Sequence, residues 1–328
     1  MKKLLSLALV LVLVLSLGAA AYAADNQDAS FNVTYKLAND GTSSPAETFT
    51  FAFTNGQVTD AAAGVNAPAI PASTVSFDAG EATAAGATKA VSVNLAGVTW
   101  PSVGIYTYDV KQTAGNTAGV SYDTKTLKMK VTVALDNDNQ HYVAFVTTSL
   151  ADVNPDDGQT DVKTGGFENT YSAGDLSVTK KVEGNMGDKT KFFDIKVTVT
   201  NPDDGKTYPA SYTVTGGSDP SNLSTITAGT ETTFKLKDDE TITIANLPQG
   251  VTYTVTEADY KAEGYETTYQ NENGTIAAAD VAATVTNTKG ITVDTGISLD
   301  SLPYIVLLVV SMSALAFFAM RKRATRER

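Results

Sequence analysis

The sequence predicts an all-β protein in which two tandem β domains lie between an N-terminal signal peptide and a C-terminal transmembrane helix. The first observation is length, because 328 residues suit about two domains of ordinary size. The second is a period-two alternation of apolar and polar residues between the two ends, which is typical of strands. The third is an apolar run near each terminus.

The net charge and the scarcity of Cys and His exclude several classes of function. Asp and Glu number 36 against 24 Lys and Arg, a formal net charge of -12, and an acidic surface does not attract the phosphates of nucleic acids. The chain has no Cys and a single His, His141, so disulfides, thiolate sites and His-rich zinc sites are excluded. We expect no metal, no cofactor, no nucleic-acid partner and no enzymatic activity on other molecules, since no cleft-forming set of acid, base and nucleophile can be assembled.

The N-terminus, residues 1–23, has the pattern of a signal peptide. Lys2 and Lys3 precede an apolar run over 4–17, and Ala21-Tyr22-Ala23 supplies the small residues that a signal peptidase recognises. An uncleaved anchor helix is the alternative, but the run is shorter than the roughly 20 residues of a bilayer span. We expect cleavage after Ala23.

The C-terminal region, 290–328, combines a short motif, an apolar span and a basic tail. The motif Thr-Val-Asp-Thr-Gly at 292–296 precedes the apolar span over 302–320 and the basic tail over 321–328, and a basic tail is typical of a cytoplasmic C-terminus. This order resembles the sorting signal of Gram-positive surface proteins, and the resemblance implies sortase cleavage between Thr295 and Gly296. The usual Leu-Pro pair of that motif is absent, which leaves open which sortase acts, and a simple membrane-anchored ectodomain is the alternative.

The body of the chain is predicted to form two β domains, at 25–172 and 173–289. Alternating runs of Thr, Val, Tyr and Phe are bounded by Gly, Pro, Asn and Asp, and they occur at 48–53, 104–110, 128–133 and 251–255. Short strands separated by turn signals predict β-sandwiches or partly open barrels. We place the boundary near Ser172, where one strand ends shortly before another begins.

Three polar residues of the second domain fall on the apolar faces of their strands. Side chains alternate between the faces of a strand, and this places Lys180, Glu257 and Asn287 in phase with apolar neighbours. Burial disfavours the charged forms of an amine and an acid. Lys180 is therefore predicted to attack the carboxamide of Asn287, with Glu257 as the proton-transferring acid, so that an intramolecular isopeptide bond forms and ammonia leaves.

Longer segments surround these residues. In the second domain they are LSVTKKVEG (176–184), NLPQGVTYTVTE (246–257) and TNTK (286–289), and this domain resembles a collagen-adhesin B-type domain, an immunoglobulin-like β-sandwich. In the first domain the stretches SPAETFTF (44–51), GIYTYDV (104–110) and FENT (167–170) resemble the streptococcal pilin isopeptide-linkage domain. Together they resemble the sortase-assembled major pilins of Gram-positive bacteria. The resemblance implies that each domain is a β-sandwich with its own bond-forming triad.

In the first domain that triad is degenerate. The acceptor Asn169 is in phase with Phe167 and Tyr171, but Gln112 stands where the family has a Glu, and Lys36 is out of phase with the inward residues of its strand. A strand bulge that turns Lys36 inward is the alternative that keeps a nucleophile. Gln112 can polarise a carbonyl, although it cannot transfer protons as Glu does.

The resemblance also implies a function. In the family, a lysine near the last strand of the first domain accepts the sortase-bound threonine of the next subunit, and Lys163 fits this position unless it is an ordinary loop lysine. We expect a secreted structural shaft subunit of a cell-wall pilus, whose partners are sortase, identical pilin subunits and peptidoglycan, with membrane contact only before sorting. The alternative is a singly displayed wall-anchored adhesin or minor pilin.

Overall fold

The computed structural model describes residues 29–150, 166–291 and 302–324. Within these ranges the chain forms four β-sheets and one long α-helix. The predicted signal peptide, the lysine at 163 and the motif at 292–296 lie outside the described residues.

The first nine strands form a sandwich of two sheets, here called the first sandwich. One sheet has the order β4-β1-β9-β6 and the other β3-β2-β5-β7-β8. The strands are β1 (Ala29–Leu37), β2 (Glu47–Thr59), β3 (Ser73–Phe77), β4 (Ala87–Val93), β5 (Gly104–Thr113), β6 (Val120–Ser121), β7 (Thr126–Leu135), β8 (His141–Leu150) and β9 (Gly166–Tyr171).

The following ten strands form the second sandwich. Its sheets have the orders β13-β12-β15-β10-β19-β17 and β14-β11-β16-β18, and a single 3-10 turn occupies Lys261–Glu263. The strands are β10 (Ala173–Glu183), β11 (Phe193–Thr200), β12 (Ser211–Gly216), β13 (Thr225–Thr227), β14 (Thr232–Leu236), β15 (Thr241–Pro248), β16 (Thr252–Glu257), β17 (Glu266–Gln270), β18 (Asn273–Thr275) and β19 (Val281–Thr288).

Period-two alternation explains both sandwiches. Three predicted runs lie in β2, β5 and β7, and the fourth begins one residue before β16. Their apolar side chains enter the two cores while the intervening polar ones face outward. In the first core, the ring of Phe31 meets the rings of Phe51 and Phe167 edge-on, at centroid distances of 4.9 and 5.6 Å. These contacts join β1 and β9 of one sheet to β2 of the other, so the prediction of an all-β sandwich is confirmed.

The two sandwiches share a topology that places their chain ends side by side. In each, the first strand pairs in parallel with the last: β1 with β9, and β10 with β19. In each, the second strand belongs to the other sheet and pairs there, antiparallel, with a central strand: β2 with β5, and β11 with β16. A side chain on the first strand, one on the last and one on that central strand can therefore meet inside the core.

The chain passes between the sandwiches at Ser172, and hydrogen bonds from side chains and backbone hold the junction. The Asn246 side chain donates to the carbonyl of Ser43 (2.6 Å) and accepts from its N–H (3.0 Å). The N–H of Gln249 donates to the carbonyl of Ser172, at 2.9 Å. The two sandwiches are thus joined by hydrogen bonds as well as by the connecting chain.

The helix α1 spans Leu302–Ala324, and its side chains from Pro303 to Met320 are mostly apolar and exposed. By length and composition, the stretch Pro303–Arg321 is able to cross a membrane. This agrees with the predicted C-terminal anchor.

Candidate cross-linking site

The second sandwich brings the three predicted residues together. Lys180 lies on β10, the first strand, and Asn287 on β19, the last, while Glu257 ends β16 in the facing sheet. In the parallel pairing of β10 and β19, Asn287 lies opposite Val182, two residues beyond Lys180. Because a two-residue step returns a side chain to the same face, Lys180 and Asn287 both point at Glu257.

Lys180 and Asn287 both contact the carboxyl group of Glu257. Nζ of Lys180 lies 3.0 Å from Oε1 of Glu257, and Nδ2 of Asn287 donates to the same oxygen at 3.1 Å. The side chains of Lys180 and Glu257 have no exposed area, and Asn287 is likewise fully buried. The amine and the carboxamide thus share one carboxyl oxygen in a dry interior.

Two further side chains complete the surroundings of the site, and sequence reasoning missed both. The ring of Phe193 lies 4.6 Å from Nζ of Lys180 and covers the amine. Thr267 donates from Oγ1 to Oε2 of Glu257 at 3.0 Å. Phe193 had only the signal of a core aromatic, and Thr267 lies on an edge strand whose register with β19 cannot be read locally from the sequence.

Burial favours the uncharged form of the Lys180 amine. Desolvation lowers the pKa of Lys180, and the carboxyl of Glu257 opposes that shift. In a dry site an ion pair is costly, because the attraction between the charges has to offset the loss of water around both. A proton passing from Lys180 to Glu257 leaves a neutral amine and a neutral acid, which are the nucleophile and the proton donor of amide exchange.

The carboxamide is placed to use that proton. Within the described residues, Oδ1 of Asn287 is buried and has no hydrogen-bond partner. Rotating the carboxamide by half a turn exchanges Oδ1 with Nδ2, which brings Oδ1 to the Glu257 oxygen that now holds Nδ2. A protonated Glu257 then donates to Oδ1 and makes the carbonyl carbon a better electrophile, so the arrangement can perform aminolysis of Asn287 by Lys180.

The first sandwich brings together two of its three predicted residues. Nε2 of Gln112 donates to Oδ1 of Asn169 at 2.6 Å, and Nδ2 of Asn169 donates back to Oε1 of Gln112 at 3.0 Å. Lys36 is absent from this pair, because its Nζ lies 2.6 Å from Glu168 at the surface. The alternative of a bulge that turns Lys36 inward is wrong: β1 and β9 pair from Asn32 to Leu37 without a register shift.

The remaining predicted residues are those expected to take part in assembly by sortase. Lys163, Thr295 and Gly296 lie outside the described residues. Among the residues that the structure describes, no group of three or more His, Cys, Asp or Glu side chains forms a metal site.

Comparison with known families matches both sandwiches. Residues 31–172 match a family described as the Spy0128-like isopeptide containing domain. Residues 174–289 match a family described as a domain of unknown function, DUF7601.

Two curated relatives and one solved structure extend the comparison. A protein named pilin from Streptococcus pyogenes serotype M1 is 31% identical over 265 residues, which covers 72% of this chain and 73% of the relative. The pilus tip adhesin Cpa of Streptococcus pyogenes is 29% identical over 132 residues, 38% of this chain and 18% of that protein. The crystal structure of the major pilin from Streptococcus pyogenes superposes with a TM-score of 0.54 at 24% identity, covering 81% of this chain and 100% of that one. The 31% identity with a pilin over 73% of that protein, together with the match of residues 31–172, shows that the chain belongs to the pilin family with a Spy0128-like isopeptide containing domain.

Proposed function

We propose that this chain is the repeating shaft subunit of a covalently polymerised pilus on a Gram-positive cell, anchored by sortase and stabilised by an isopeptide bond between Lys180 and Asn287. The observation that carries the proposal is the buried contact of Lys180 and Asn287 with one oxygen of Glu257, in a chain of the pilin family.

The proposed bond forms as the second sandwich folds. The lone pair of Nζ of Lys180 attacks Cγ of Asn287 and forms the Nζ–Cγ bond while Glu257 protonates Oδ1. Glu257 then takes a proton from Nζ and passes it to Nδ2. The Cγ–Nδ2 bond breaks, ammonia leaves, and the proton on Oδ1 returns to Glu257 as the carbonyl is restored. One ammonia is lost for each bond, and no oxidant, metal or cofactor is needed.

The position of the bond suits a subunit that bears tension. The bond ties the first strand of the second sandwich, β10, to the last, β19, whose backbones already pair along eight residues. Pulling on the ends of this sandwich is resisted by a covalent link rather than by hydrogen bonds alone. A cysteine-free secreted chain gains in this way the cross-link that other secreted proteins obtain from disulfides.

Assembly is proposed to use sortase chemistry at two residues outside the described ranges. Sortase breaks the peptide bond between Thr295 and Gly296, and the threonyl group passes to Nζ of Lys163 of the next subunit as an amide. The apolar helix from Leu302 and the basic residues that follow it hold the precursor at the membrane until that cut. The last subunit is transferred to an amine of peptidoglycan.

The proposal is tested by extracting the cell wall of the native host, separating the extract by size on a denaturing gel and probing the gel for this chain. Wild type is expected to give a ladder of covalent oligomers. Lys163→Arg keeps the charge but removes the nucleophile, because guanidinium stays protonated, and should give monomer. Lys206→Arg, at an exposed lysine of the second sandwich, is the matched control and should keep the ladder. A ladder in Lys163→Arg would reject that acceptor.

A singly displayed adhesin or minor pilin is the competing function. The match to the tip adhesin covers 18% of that protein, whereas the pilin match covers 73% of its relative. Absence of any ladder from wild type in cells with their own sortases would reject the shaft proposal and favour the adhesin.

A further inference from the structure

We propose that Val33 occupies the nucleophile position of a lapsed cross-linking site in the first sandwich, and that Lys36 has no part in that site. The chain then carries one intramolecular isopeptide bond, in the second sandwich. The first sandwich keeps only the acceptor, Asn169, and has the amide of Gln112 in place of the acid. This correspondence rests on the proposed role of Lys180, Glu257 and Asn287.

Backbone register locates the missing nucleophile. In the second sandwich Asn287 pairs with Val182, and Lys180 lies two residues before that partner. In the first sandwich Asn169 pairs with Tyr35, so the residue two before the partner is Val33. Both strand pairs are parallel and continuous. Val33 therefore holds the place on β1 that Lys180 holds on β10.

The facing sheet gives the same correspondence for the acid. Glu257 pairs with Ile195 on the second strand of its sandwich, and Gln112 pairs with Phe51 on the second strand of the other. Glu257 accepts from the carboxamide of Asn287 at 3.1 Å. Gln112 exchanges two hydrogen bonds with the carboxamide of Asn169. Gln112 therefore faces Asn169 as Glu257 faces Asn287.

Burial separates Val33 from Lys36. Val33 is fully buried in the first core. Lys36 keeps a third of its side chain exposed (33%) and pairs with Glu168, also on the outer face of the sheet. Adjacent residues and residues three apart on a strand point to opposite faces, so Lys36 cannot reach the core while β1 keeps its register with β9.

The chemistry explains why the first site is inactive and still stable. Valine supplies no nucleophile, and a carboxamide at 112 cannot shuttle protons. A buried carboxamide is costly only when it is left without partners. Asn169 has partners in Gln112 and in the N–H of Asp123, which donates to Oδ1 at 2.9 Å. The hydrogen bonds between the two amides thus satisfy the buried carboxamide of Asn169, which would otherwise take part in a covalent bond.

The double variant Val33→Lys/Gln112→Glu tests the proposal in the full chain, purified in detergent from a host without sortase. The introduced amine should attack Cγ of Asn169 and release ammonia, with the introduced acid as proton carrier. We expect the intact mass to lie two ammonia molecules below the mass calculated for the variant sequence, against one for wild type, and a proteolytic map to contain a peptide joining position 33 to Asn169. A folded double variant without this peptide would overturn the proposal.

Two further measurements test the proposal even when the double variant does not fold. Gln112→Glu alone restores an acid beside Asn169 and leaves Lys36 unchanged, and it should lose no further ammonia. In the map of wild type, the peptides containing Lys36 and Asn169 should be separate. A peptide joining Lys36 to Asn169, in either protein, would overturn the proposal. The proposed function has its own tests. It would fail if the same map lacked a peptide joining Lys180 to Asn287, or if the cell-wall extract showed no ladder of oligomers.

Discussion

Glu257→Gln should leave the second sandwich folded but without its cross-link. The substitution preserves the size of the side chain and its hydrogen bond with Asn287, and the Gln112–Asn169 pair shows that the same two amides fit together in a sandwich core. It removes the proton carrier. The intact mass should therefore equal the mass calculated from the variant sequence, whereas wild type should fall one ammonia below its own calculated mass.

The expected loss of stability follows from the loop that the bond closes. Lys180 and Asn287 enclose most of the second sandwich. By the chain-entropy relation that describes disulfides, closing a loop of about 100 residues destabilises the unfolded state by roughly 5 kcal/mol. For a domain of this size, 1 kcal/mol corresponds to about 4 °C in Tm. The melting transition of the second sandwich should therefore fall by about 20 °C.

The assay is calorimetry of the purified protein, with the first sandwich as an internal reference whose transition should not move. Lys180→Met is the matched variant, since it also prevents the bond but leaves no buried amine without a counter-charge. Its transition should fall by a similar amount, and slightly less than that of Glu257→Gln. A Glu257→Gln protein that has the full mass but melts within about 5 °C of wild type would refute the link between bond and stability.

Three other predictions concern the same site. In Asn287→Ala, which cannot cross-link, burial lowers the folded pKa of Lys180, so the unfolded chain holds a proton that the folded chain has released. The free energy of unfolding should then rise with pH between that lowered pKa and the ordinary value of about 10.4. Lys180→Met/Asn287→Ala should lack this slope in denaturant titrations, and equal slopes in the two variants would contradict the shift. Thr267→Val removes the hydrogen bond to Glu257 and should slow bond formation, seen as a mixture of two masses in freshly synthesised protein; an unchanged rate would show that Thr267 does not position the acid. Limited proteolysis should degrade the first sandwich before the second and leave a fragment that begins near Leu176, and the reverse order would show that the cross-links are wrongly assigned.

The strands and the second-sandwich triad could be predicted because both depend on local periodicity. Lys180 is in phase with Leu176, Val178 and Val182, and all four are buried as that phase requires. A lysine on an apolar face is informative by itself, because burying an unpaired amine is costly. One strand was therefore sufficient to single out Lys180 as the proposed nucleophile.

The site in the first sandwich could not be predicted in the same way, because its decisive feature is the lack of a lysine at the position that faces Asn169. Val33 is an ordinary core residue, and nothing in the sequence of β1 distinguishes it from Phe31 or Tyr35. Its role follows only from the pairing of β1 with β9, strands more than 120 residues apart. The lysine that β1 does contain is Lys36, and the alternation of side chains along β1 already placed it on the outer face. Contacts such as Asn246 with Ser43, 203 residues apart, were inaccessible for the same reason.

The intact mass of the purified body, residues 25–290, is the decisive measurement for the cross-link. We predict the mass calculated from the sequence less one ammonia, with a proteolytic peptide that joins Lys180 to Asn287. Glu257→Ala should restore the full calculated mass. A wild-type protein at its full mass would contradict the cross-link, and a loss of two ammonia molecules would contradict the assignment of a single bond to the second sandwich.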